Sequence, residues 1–382
     1  MKKTKVAIVT NYPSPYRIPL FEKIAKKVDL CVYFTMFDES EKDWIININW
    51  KFKFKILPHY NIRFQGKDVL NYHFNPSIIN ELRKNDYDTI IVGGYSSLTT
   101  KIILLYCKLK NKPFILWSGS TLYEKSFFRN LAKPYIKWVI RNSHAFIAYG
   151  SRAEDYIASF NISSEKIFKA INVGNIEFFI KSNEELNGYK ERLKKEFMIT
   201  SNKNLIYVGR LIPIKGVEYL IKAYEKFKRE NDDLGLIIVG NGHLKEKLKS
   251  EYDHLNNLYF IDFVQPKDLP IFYMMSDVFV LPSTYEIFSI VISEAMASGL
   301  PIITTKKVGA SADLVQNGFN GYVIPDKNTE ELYNSIKKIF QNDKLLDQMG
   351  KNSRYLIKDA FNLDNTAEGF LNAINYVVNK KY

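Results

Sequence analysis

Short apolar runs alternate with amphipathic stretches along the whole chain, and the alternation occurs twice. In the first half the apolar runs are KVAIVT, LCVYFT, DTIIVGG, PFILWS and AFIAYG. In the second half they are NLIYVG, LGLIIVG, LYFIDFV, VFVLP, PIITT and GYVIP. Stretches with helical spacing separate them, at 17–27, 76–84, 97–109, 131–142, 216–230, 243–252, 267–275 and 289–298. Runs that are apolar on both faces and joined by helices are typical of parallel sheets built from βαβ units.

Two such sets in one chain predict two Rossmann-like, doubly wound α/β domains that face each other across a cleft. We expect an N-terminal domain over residues 1–180 and a C-terminal domain over 181–363, with a last helix at 364–382 packed back on the first domain. The polar stretch 181–203 is predicted to separate the two sets. Ligands of open α/β sheets bind beyond the carboxyl ends of the strands, so functional residues are sought directly after each apolar run.

Length and composition agree with this arrangement. The chain has 382 residues, of which 46% are hydrophobic and 25% charged, and this is the composition of a globular protein with room for two cores. Cys31 and Cys107 lie inside apolar runs and are expected in the core. The sequence contains no apolar stretch of about 18 residues, so we expect a cytoplasmic protein without a membrane span.

Charge is unevenly distributed along the chain. Residues 1–175 contain 27 Lys and Arg against 14 Asp and Glu, whereas residues 176–382 contain 27 of each kind. The N-terminal half therefore carries the whole excess of +13. A one-sided basic domain favours an anionic partner, such as a membrane surface, a nucleic acid or a phosphorylated acceptor. Of these we expect no nucleic acid; a merely Lys-rich composition is the alternative.

One amphipathic stretch, residues 127–141, has basic side chains at every fourth position. They are Arg129, Lys133, Lys137 and Arg141. A basic helix with aromatic residues can lie against anionic lipid, but a solvated stripe above a core-facing one explains the pattern equally well. Pro134 predicts a helix that begins shortly before it, with Arg129 preceding the helix.

No metal site is predicted. The five histidines lack metal-ligand spacing. Asp86 and Asp88 form an Asp-x-Asp pattern, but they precede an apolar run and so lie at the wrong end of the sheet for a ligand.

The segment after the run VFVLPS carries the strongest candidate chemistry. Glu286 falls on the loop there, and a helix is predicted to begin near Ser289 and to stop at Gly299. Unpaired amides at such a helix start suit a diphosphate. These amides are those of Ile287, Phe288, Ser289 and Ile290. Glu286 can accept hydrogen bonds from sugar hydroxyls and Glu294 from a ribose diol. Two solvated glutamates are the alternative, which the apolar neighbours of Glu294 disfavour.

Two further loops supply cations and glycines. Arg210 leaves the end of the run NLIYVG and Lys215 begins the next helical stretch, so both can neutralise a phosphate whose charge grows as a glycosidic bond breaks. A helix-start Lys and an edge Arg without function are the alternative. Close approach of the backbone to a ligand is predicted at Gly209, Gly240, Asn241 and Gly242. A tight strand-to-helix turn would explain these glycines as well.

Together these segments resemble glycosyltransferase family 4, a retaining family of GT-B fold. The motifs are VGRL…KG at 208–216, VGNG at 239–242, VLPS at 280–283 and the Glu-x7-Glu pattern that runs into EAMASGLPII. The resemblance implies that Arg210 and Lys215 hold the donor diphosphate. It also implies that Glu286 meets the sugar, that Glu294 meets the ribose, and that no metal or other cofactor is needed.

The chain departs from the family pattern at two places. Ser289 stands where the family usually has Gly, and a hydroxymethyl group there narrows the space near the donor. The family's usual His after the run PFILWS is absent, so no residue is assigned to acceptor activation. The acceptor side is instead expected to be formed by residues that follow N-terminal strands: Tyr16, Arg17, Gly94 and Ser118.

The resulting hypothesis is a retaining, metal-independent glycosyltransferase. It would transfer a sugar from a nucleotide-diphosphate sugar, expected to be UDP-linked, to a glycan or lipid-linked acceptor in cell-surface polysaccharide or glycolipid synthesis. It would work in the cytoplasm, peripherally on the inner face of the membrane. Two alternatives remain: a nucleotide-sugar epimerase of GT-B fold, and a non-enzymatic protein that binds polyanions or membranes through its basic half.

Overall fold

The computed structural model of the chain describes residues 3–37, 48–64, 70–124 and 127–380. They form two compact α/β units. The first comprises the described residues up to Asn172 together with those from Leu363 onward, and the second comprises Val173–Asn362. The stretch 181–203, predicted to separate the two sets of strands, lies inside the second unit.

The first unit is built on a parallel sheet. Its strands are β1 (Lys5–Thr10), β2 (Asp29–Phe34), β3 (Lys53–Ile56), β4 (Tyr60–Phe64), β5 (Leu70–Phe74), β6 (Thr89–Gly93), β7 (Phe114–Ser118), β8 (Ala145–Ala148) and β9 (Ile167–Lys169). Seven of them pair in parallel in the order β3-β2-β1-β6-β7-β8-β9, and β4 and β5 form a separate antiparallel pair. The central strands are buried on both faces, which explains their uninterrupted apolar sequences.

The second unit repeats this architecture. Its strands are β10 (Lys203–Val208), β11 (Leu234–Val239), β12 (Leu258–Ile261), β13 (Val278–Leu281), β14 (Ile302–Thr305) and β15 (Gly321–Ile324). All pair in parallel, in the order β12-β11-β10-β13-β14-β15. Two doubly wound parallel sheets confirm the predicted fold class.

Helices connect the strands of both sheets. In chain order they are α1 (Ile18–Lys27), α2 (Ile78–Asn85), α3 (Leu98–Leu109), α4 (Phe127–Arg141), α5 (Ser151–Ala158), α6 (Ile176–Glu185), α7 (Lys190–Glu196), α8 (Val217–Lys228), α9 (Lys245–Glu251), α10 (Leu269–Met274), α11 (Ile290–Ala297), α12 (Ser311–Leu314), α13 (Thr329–Phe340), α14 (Asp343–Asp359) and α15 (Leu363–Asn379). Among the helices of the described residues, none has the length and apolarity to cross a bilayer.

The strands β3, β4, β5 and β9 correspond to none of the predicted apolar runs, and α4 begins earlier than expected. The sequence of the edge strand β3 is not an apolar run. Lys53 and Lys55 alternate with Phe54 and Ile56, because only one face of the strand is covered. In α4, Pro134 lies inside the helix, and the helix includes Arg129 instead of starting after it. The expected start was wrong because a proline removes only one hydrogen bond and a helix held by packing tolerates that loss.

The last helix, α15, packs on the sheet of the first unit. The ring of Phe370 lies 5.0 Å from that of Trp117, edge to face. Thr366 Oγ1 donates a hydrogen bond of 2.8 Å to the carbonyl oxygen of Ile171. At Gly369 the helix touches the backbone of β9 so closely that a Cβ atom would clash with the carbonyl oxygen of Lys169.

Gly369→Ala should therefore destabilise the first unit, because overpacking a helix against backbone costs about 1–3 kcal/mol. Urea unfolding followed by circular dichroism measures the loss. Asn372→Ala, an exposed position of the same helix, is the control and should change the free energy of unfolding by less than about 0.5 kcal/mol. Equal stability of the Gly369 variant and the wild type would contradict the described docking of α15.

Candidate functional site

The order of strands in the second sheet brings two loops together. From β10 the chain continues to β11 on one side, and β13 pairs with β10 on the other side. Loops that follow two strands at such a switch point leave the same edge side by side, where α/β sheets bind ligands. The candidate residues Arg210, Lys215 and Glu286 lie on these two loops.

The two loops are joined by an ion pair between Lys215 and Glu286. The side chains are 14% and 22% exposed, so the pair is largely withdrawn from water. Gly216 follows with a positive φ of 67°, and a Cβ atom there would clash with the carbonyl oxygen of Pro282. Only glycine lets the loop after β10 approach the end of β13 this closely.

Arg210 is held differently. Its carbonyl oxygen accepts a hydrogen bond of 2.8 Å from the hydroxyl of Tyr207. Its guanidinium group is exposed and forms no ion pair with any residue that the structure describes. The backbone is therefore fixed while the charge stays available to a ligand.

A third loop, the one after β14, supports Glu286 and was missed by the sequence analysis. The amide of Glu286 donates to the carbonyl of Lys307 over 3.1 Å, and the amide of Gly309 donates back to Glu286 over 3.0 Å. The amide of Ala310 donates to the carbonyl of Phe288 over 2.9 Å. A Cβ atom on Gly309 would clash with the Ile287 carbonyl oxygen. The available signal was the position of this loop directly after the run PIITT.

The predicted unpaired amides lie at the end of the loop after β13. Helix α11 begins at Ile290, so only the last of them belongs to the helix start and the others precede it. No described residue accepts a hydrogen bond from these four amides, which are those of Ile287, Phe288, Ser289 and Ile290. Phe288 is buried, whereas the side chain of Ile287 is exposed. The helix ends at Ala297, and Gly299 follows with a φ of 83° as predicted for its end.

Ser289 adopts a backbone conformation that favours glycine. Its φ is 85° and its ψ 99°, and its side chain makes no capping hydrogen bond to α11. Residues with side chains occupy such conformations only at a cost of about 1–3 kcal/mol. The strain coincides with the row of unpaired amides.

Glu294 is buried in the interior of the second unit. It is 7% exposed, and its Oε2 accepts a hydrogen bond of 3.3 Å from the hydroxyl of Tyr273. Burial raises the pKa of Glu294 to about 7, although the hydrogen bond from Tyr273 lowers it. A Cβ atom at Gly174 would lie 3.4 Å from Oε1 of Glu294 and 2.8 Å from Ile290, so glycine is required beside it. Neither Tyr273 nor Gly174 carried a sequence signal.

The glycine turn after β11 serves packing. A Cβ atom on Gly240 would clash with the carbonyl oxygen of Gly209, and one on Gly242 with that of Leu211. The side chain of Asn241 accepts a hydrogen bond of 3.2 Å from Lys245. These contacts are those of a tight strand-to-helix turn, which was the alternative explanation of the glycines. Contact of these residues with a ligand stays a prediction.

Of the four acceptor-side candidates, Ser118 is the last residue of β7 and the other three follow strands of the first unit. The side chains of Tyr16 and Arg17 lie close together, with the guanidinium carbon of Arg17 5.4 Å from the ring centre of Tyr16. Gly94 has a φ of 83° and open space beside its Cα. Ser118 is buried, and its Oγ accepts a hydrogen bond of 3.2 Å from the amide of Ser120.

The basic stripe of α4 lines a cavity of about 890 Å³ in the first unit. Its four basic residues are Arg129, Lys133, Lys137 and Arg141. Arg129 is neutralised by an ion pair with Glu124 and donates to the hydroxyl of Tyr95 over 2.8 Å. The two acidic residues of the Asp-x-Asp pattern have structural partners: Asp86 pairs with Lys112 and Asp88 accepts from the amide of Lys5.

Comparison with known proteins bears on the second unit above all. Residues 189–355 match the family of glycosyl transferases group 1. The chain is 33% identical over 193 residues to spore coat protein SA of Bacillus subtilis (strain 168), an alignment that covers 48% of this chain and about half, 51%, of that protein. It is 29% identical over 327 residues to the UDP-Gal:alpha-D-GlcNAc-diphosphoundecaprenol alpha-1,3-galactosyltransferase of Escherichia coli, covering 80% of this chain and 79% of the relative.

Solved structures share the architecture. The crystal structure of Anabaena Alr3699/HepE in complex with UDP has a TM-score of 0.76 and 17% sequence identity, and the match covers 98% of this chain and 100% of that one. At this identity the likeness establishes the fold alone, which is the GT-B fold with two parallel-sheet units.

The raised pKa of Glu294 makes stability depend on pH. Its folded-state pKa of about 7 lies above the ordinary value of 4.5, so ionisation of the buried carboxyl lowers stability as pH rises between these values. Relative to Glu294→Gln, the wild type should lose about 2–3 kcal/mol of unfolding free energy between pH 5 and pH 8. Urea titrations at both pH values measure it. For Glu246→Gln, at an exposed position, the difference in unfolding free energy from the wild type should not change with pH. If the difference between Glu294→Gln and the wild type is also independent of pH, the burial of the Glu294 carboxyl is contradicted.

Relieving the backbone strain at Ser289 should stabilise the second unit. Ser289→Gly is expected to raise the unfolding free energy by about 1 kcal/mol, measured by thermal or urea denaturation. Ser289→Ala removes the same hydroxyl but keeps the strain, and should give no gain. A gain in both variants would point to the hydroxyl group instead of the backbone.

Proposed function

We propose that this chain, in which residues 189–355 form a glycosyl transferases group 1 domain, is a retaining glycosyltransferase. It takes a sugar from a UDP-linked donor and transfers it to a glycan or lipid-linked acceptor in the synthesis of a cell-surface polysaccharide or glycolipid. The observation that carries the proposal is the edge of the second sheet, where two cations, a row of unpaired amides and two glutamates follow neighbouring strands.

The leaving group explains this set of residues. When the bond between the anomeric carbon and the β-phosphate oxygen breaks, negative charge grows on the nucleoside diphosphate. Lys215, Arg210 and the amides from Ile287 to Ile290 place positive charge and N–H donors where this charge develops. Because side chains and amides meet the charge, the proposed reaction needs no metal ion.

Donor binding changes the partner of Lys215. In the structure, Lys215 is paired with Glu286. The diphosphate takes over the ammonium group, and Glu286 becomes free to accept hydrogen bonds from hydroxyls of the donor sugar. The ion pair thus holds both side chains ready and keeps the isolated charges from being buried unpaired.

Glu294 is assigned to the ribose. Its buried carboxylate has one protein donor, the hydroxyl of Tyr273, and retains lone pairs for a diol. A donor diol would favour the ionised form, which burial alone opposes.

The anomeric configuration is retained if the acceptor hydroxyl attacks the same face of the sugar from which the nucleoside diphosphate departs. The acceptor oxygen bonds to the anomeric carbon, the carbon–phosphate-oxygen bond breaks, and the acceptor's proton passes to the departing β-phosphate oxygen. The protein then positions the reactants and stabilises charge, and no separate base is required.

The choice of UDP and of the acceptor class draws on similar proteins. Anabaena HepE was crystallised with UDP, and the Escherichia coli relative is named for a UDP-galactose donor and a diphosphoundecaprenol-linked acceptor. Capsular polysaccharide biosynthesis glycosyltransferase CapM of Staphylococcus aureus, 25% identical over 339 residues, supports the polysaccharide assignment. A lipid-linked acceptor would place the enzyme at the inner face of the membrane, with the exposed residues Lys133, Lys137 and Arg141 of α4 toward anionic lipid.

Lys215→Ala should abolish the stabilisation of the protein by UDP and lower the transfer rate by about 100-fold or more, because one charge-stabilising donor is lost. Thermal shift with UDP, GDP, ADP and dTDP, then with their sugar conjugates, identifies the donor, and product formation measures transfer. Lys222→Ala, an exposed lysine of α8 in the same unit, should behave as the wild type.

Three results would argue against the proposal. Full activity of the Lys215 variant would remove the site assignment. Conversion of the donor to an isomer without acceptor would indicate an epimerase. Absence of any nucleotide effect, with liposome binding retained by the basic half, would indicate a non-enzymatic protein.

A further inference from the structure

The first sheet has its own switch point, and Arg17 lies there. Strand β1 is flanked by β2 and β6, and Arg17 is on the loop that follows β1. Its side chain contacts Thr10 at the end of β1, Trp117 in β7 and Tyr149 after β8. Strand β6 lies between and ends at Gly93, where a Cβ atom would come within 3.2 Å of Thr10 Oγ1 and 3.4 Å of the Trp117 ring. Glycine at this position lets β6 pack closely against Thr10 and Trp117.

The guanidinium group of Arg17 is surrounded by aromatic rings and hydroxyls. Nη2 donates to the Tyr149 hydroxyl over 2.9 Å, and Nη1 donates to Thr10 Oγ1 over 3.2 Å. The guanidinium carbon lies 4.6 Å from the ring centre of Trp117. Nε is fully enclosed and has no hydrogen-bond partner. Two of its five N–H donors therefore form hydrogen bonds with residues that the structure describes.

No carboxylate among the described residues compensates this charge. The loop 11–17 has Arg17 as its sole charged residue, and the loop 93–97 has none. Glu124, on the loop after β7, is paired with Arg129. Arg17 also occupies the N-cap position of α1, at the positive end of that helix dipole, and its side chain makes no capping hydrogen bond.

These features keep a cation at the switch point of the first sheet. Burial lowers the pKa of Arg17, but contacts and hydrogen bonds with Tyr149 and Tyr16 raise it by more, so the group stays charged although no described carboxylate neutralises it. A bound anion would compensate both the charge of Arg17 and the helix dipole. Thr10 accepts from Arg17 and keeps its own hydroxyl proton to donate to that anion.

We propose that Arg17, together with the hydroxyl of Thr10 and the start of α1, binds a phosphate group of the acceptor. The acceptor of this chain is then a phosphorylated molecule, such as a lipid diphosphate. Calling the carrier of the phosphate an acceptor rests on the proposed function; the anion site itself does not. Phosphate is favoured over carboxylate because it carries more charge and offers oxygens to the second N–H group of Nη1, to that of Nη2 and to a hydroxyl donor together.

The test is calorimetric titration of the full chain with inorganic pyrophosphate in the presence of saturating UDP, so that the donor site is occupied. The wild type should bind pyrophosphate, and Arg17→Gln should bind it about 10–100-fold more weakly, as expected for the loss of a charged hydrogen bond. Arg83→Gln removes the same charge from an exposed position of α2 and should leave the affinity unchanged. Farnesyl diphosphate should bind like pyrophosphate, and farnesol should not.

If Arg17→Gln does not unfold cooperatively, Arg17→Lys is used in its place. Lysine keeps the positive charge but lacks the planar guanidinium fork, so weaker pyrophosphate binding is expected for this variant too. Equal pyrophosphate affinity in the folded variants and the wild type, or no binding by the wild type, would overturn the proposal. Glucuronate binding as tight as that of pyrophosphate would overturn the phosphate assignment, and weakened UDP binding in Arg17→Gln would assign the anion to the donor. Failure of UDP to bind the wild type while pyrophosphate binding still depends on Arg17 would refute the donor site alone.

Discussion

The candidate site of the second unit depends on one constraint, the parallel pairing of β10 with both β11 and β13. This pairing makes the loops after β10 and β13 neighbours, although Lys215 and Glu286 are 71 positions apart. Everything else adjusts to that proximity: a glycine is needed at 216, and the loop after β14 donates backbone hydrogen bonds that hold Glu286 in place. The chemistry is thus a consequence of strand order.

The two glutamates of the Glu-x7-Glu pattern look alike in sequence but lie in different environments. Glu286 is half-buried and has a cationic partner in the neighbouring loop. Glu294 is enclosed and has a neutral tyrosine as its hydrogen-bond donor. The arginines of the first unit show a similar contrast, because Arg129 has a carboxylate partner and Arg17 has hydroxyls and rings. In each pair, environment and not residue type determines how the group can act.

Much of this arrangement was predictable because the central strands are buried on both faces and so appear as uninterrupted apolar runs. Positions directly after those runs led to Arg210, Lys215 and Glu286. The edge strand β3 was missed because it alternates Lys with apolar residues, a pattern of period two instead of a run. Gly309 and Tyr273 were missed for another reason: their roles arise from contacts between distant segments, which no local pattern encodes.

The position of α15 in the first unit has a consequence for synthesis on the ribosome. Phe370 completes the packing around Trp117, yet it is translated after all of Val173–Asn362. The second unit is contiguous in sequence and can fold as soon as it emerges, whereas the first must wait with part of its apolar surface uncovered. An N-terminal fragment that ends before Leu363 would therefore expose Trp117 and its neighbours and be prone to aggregate.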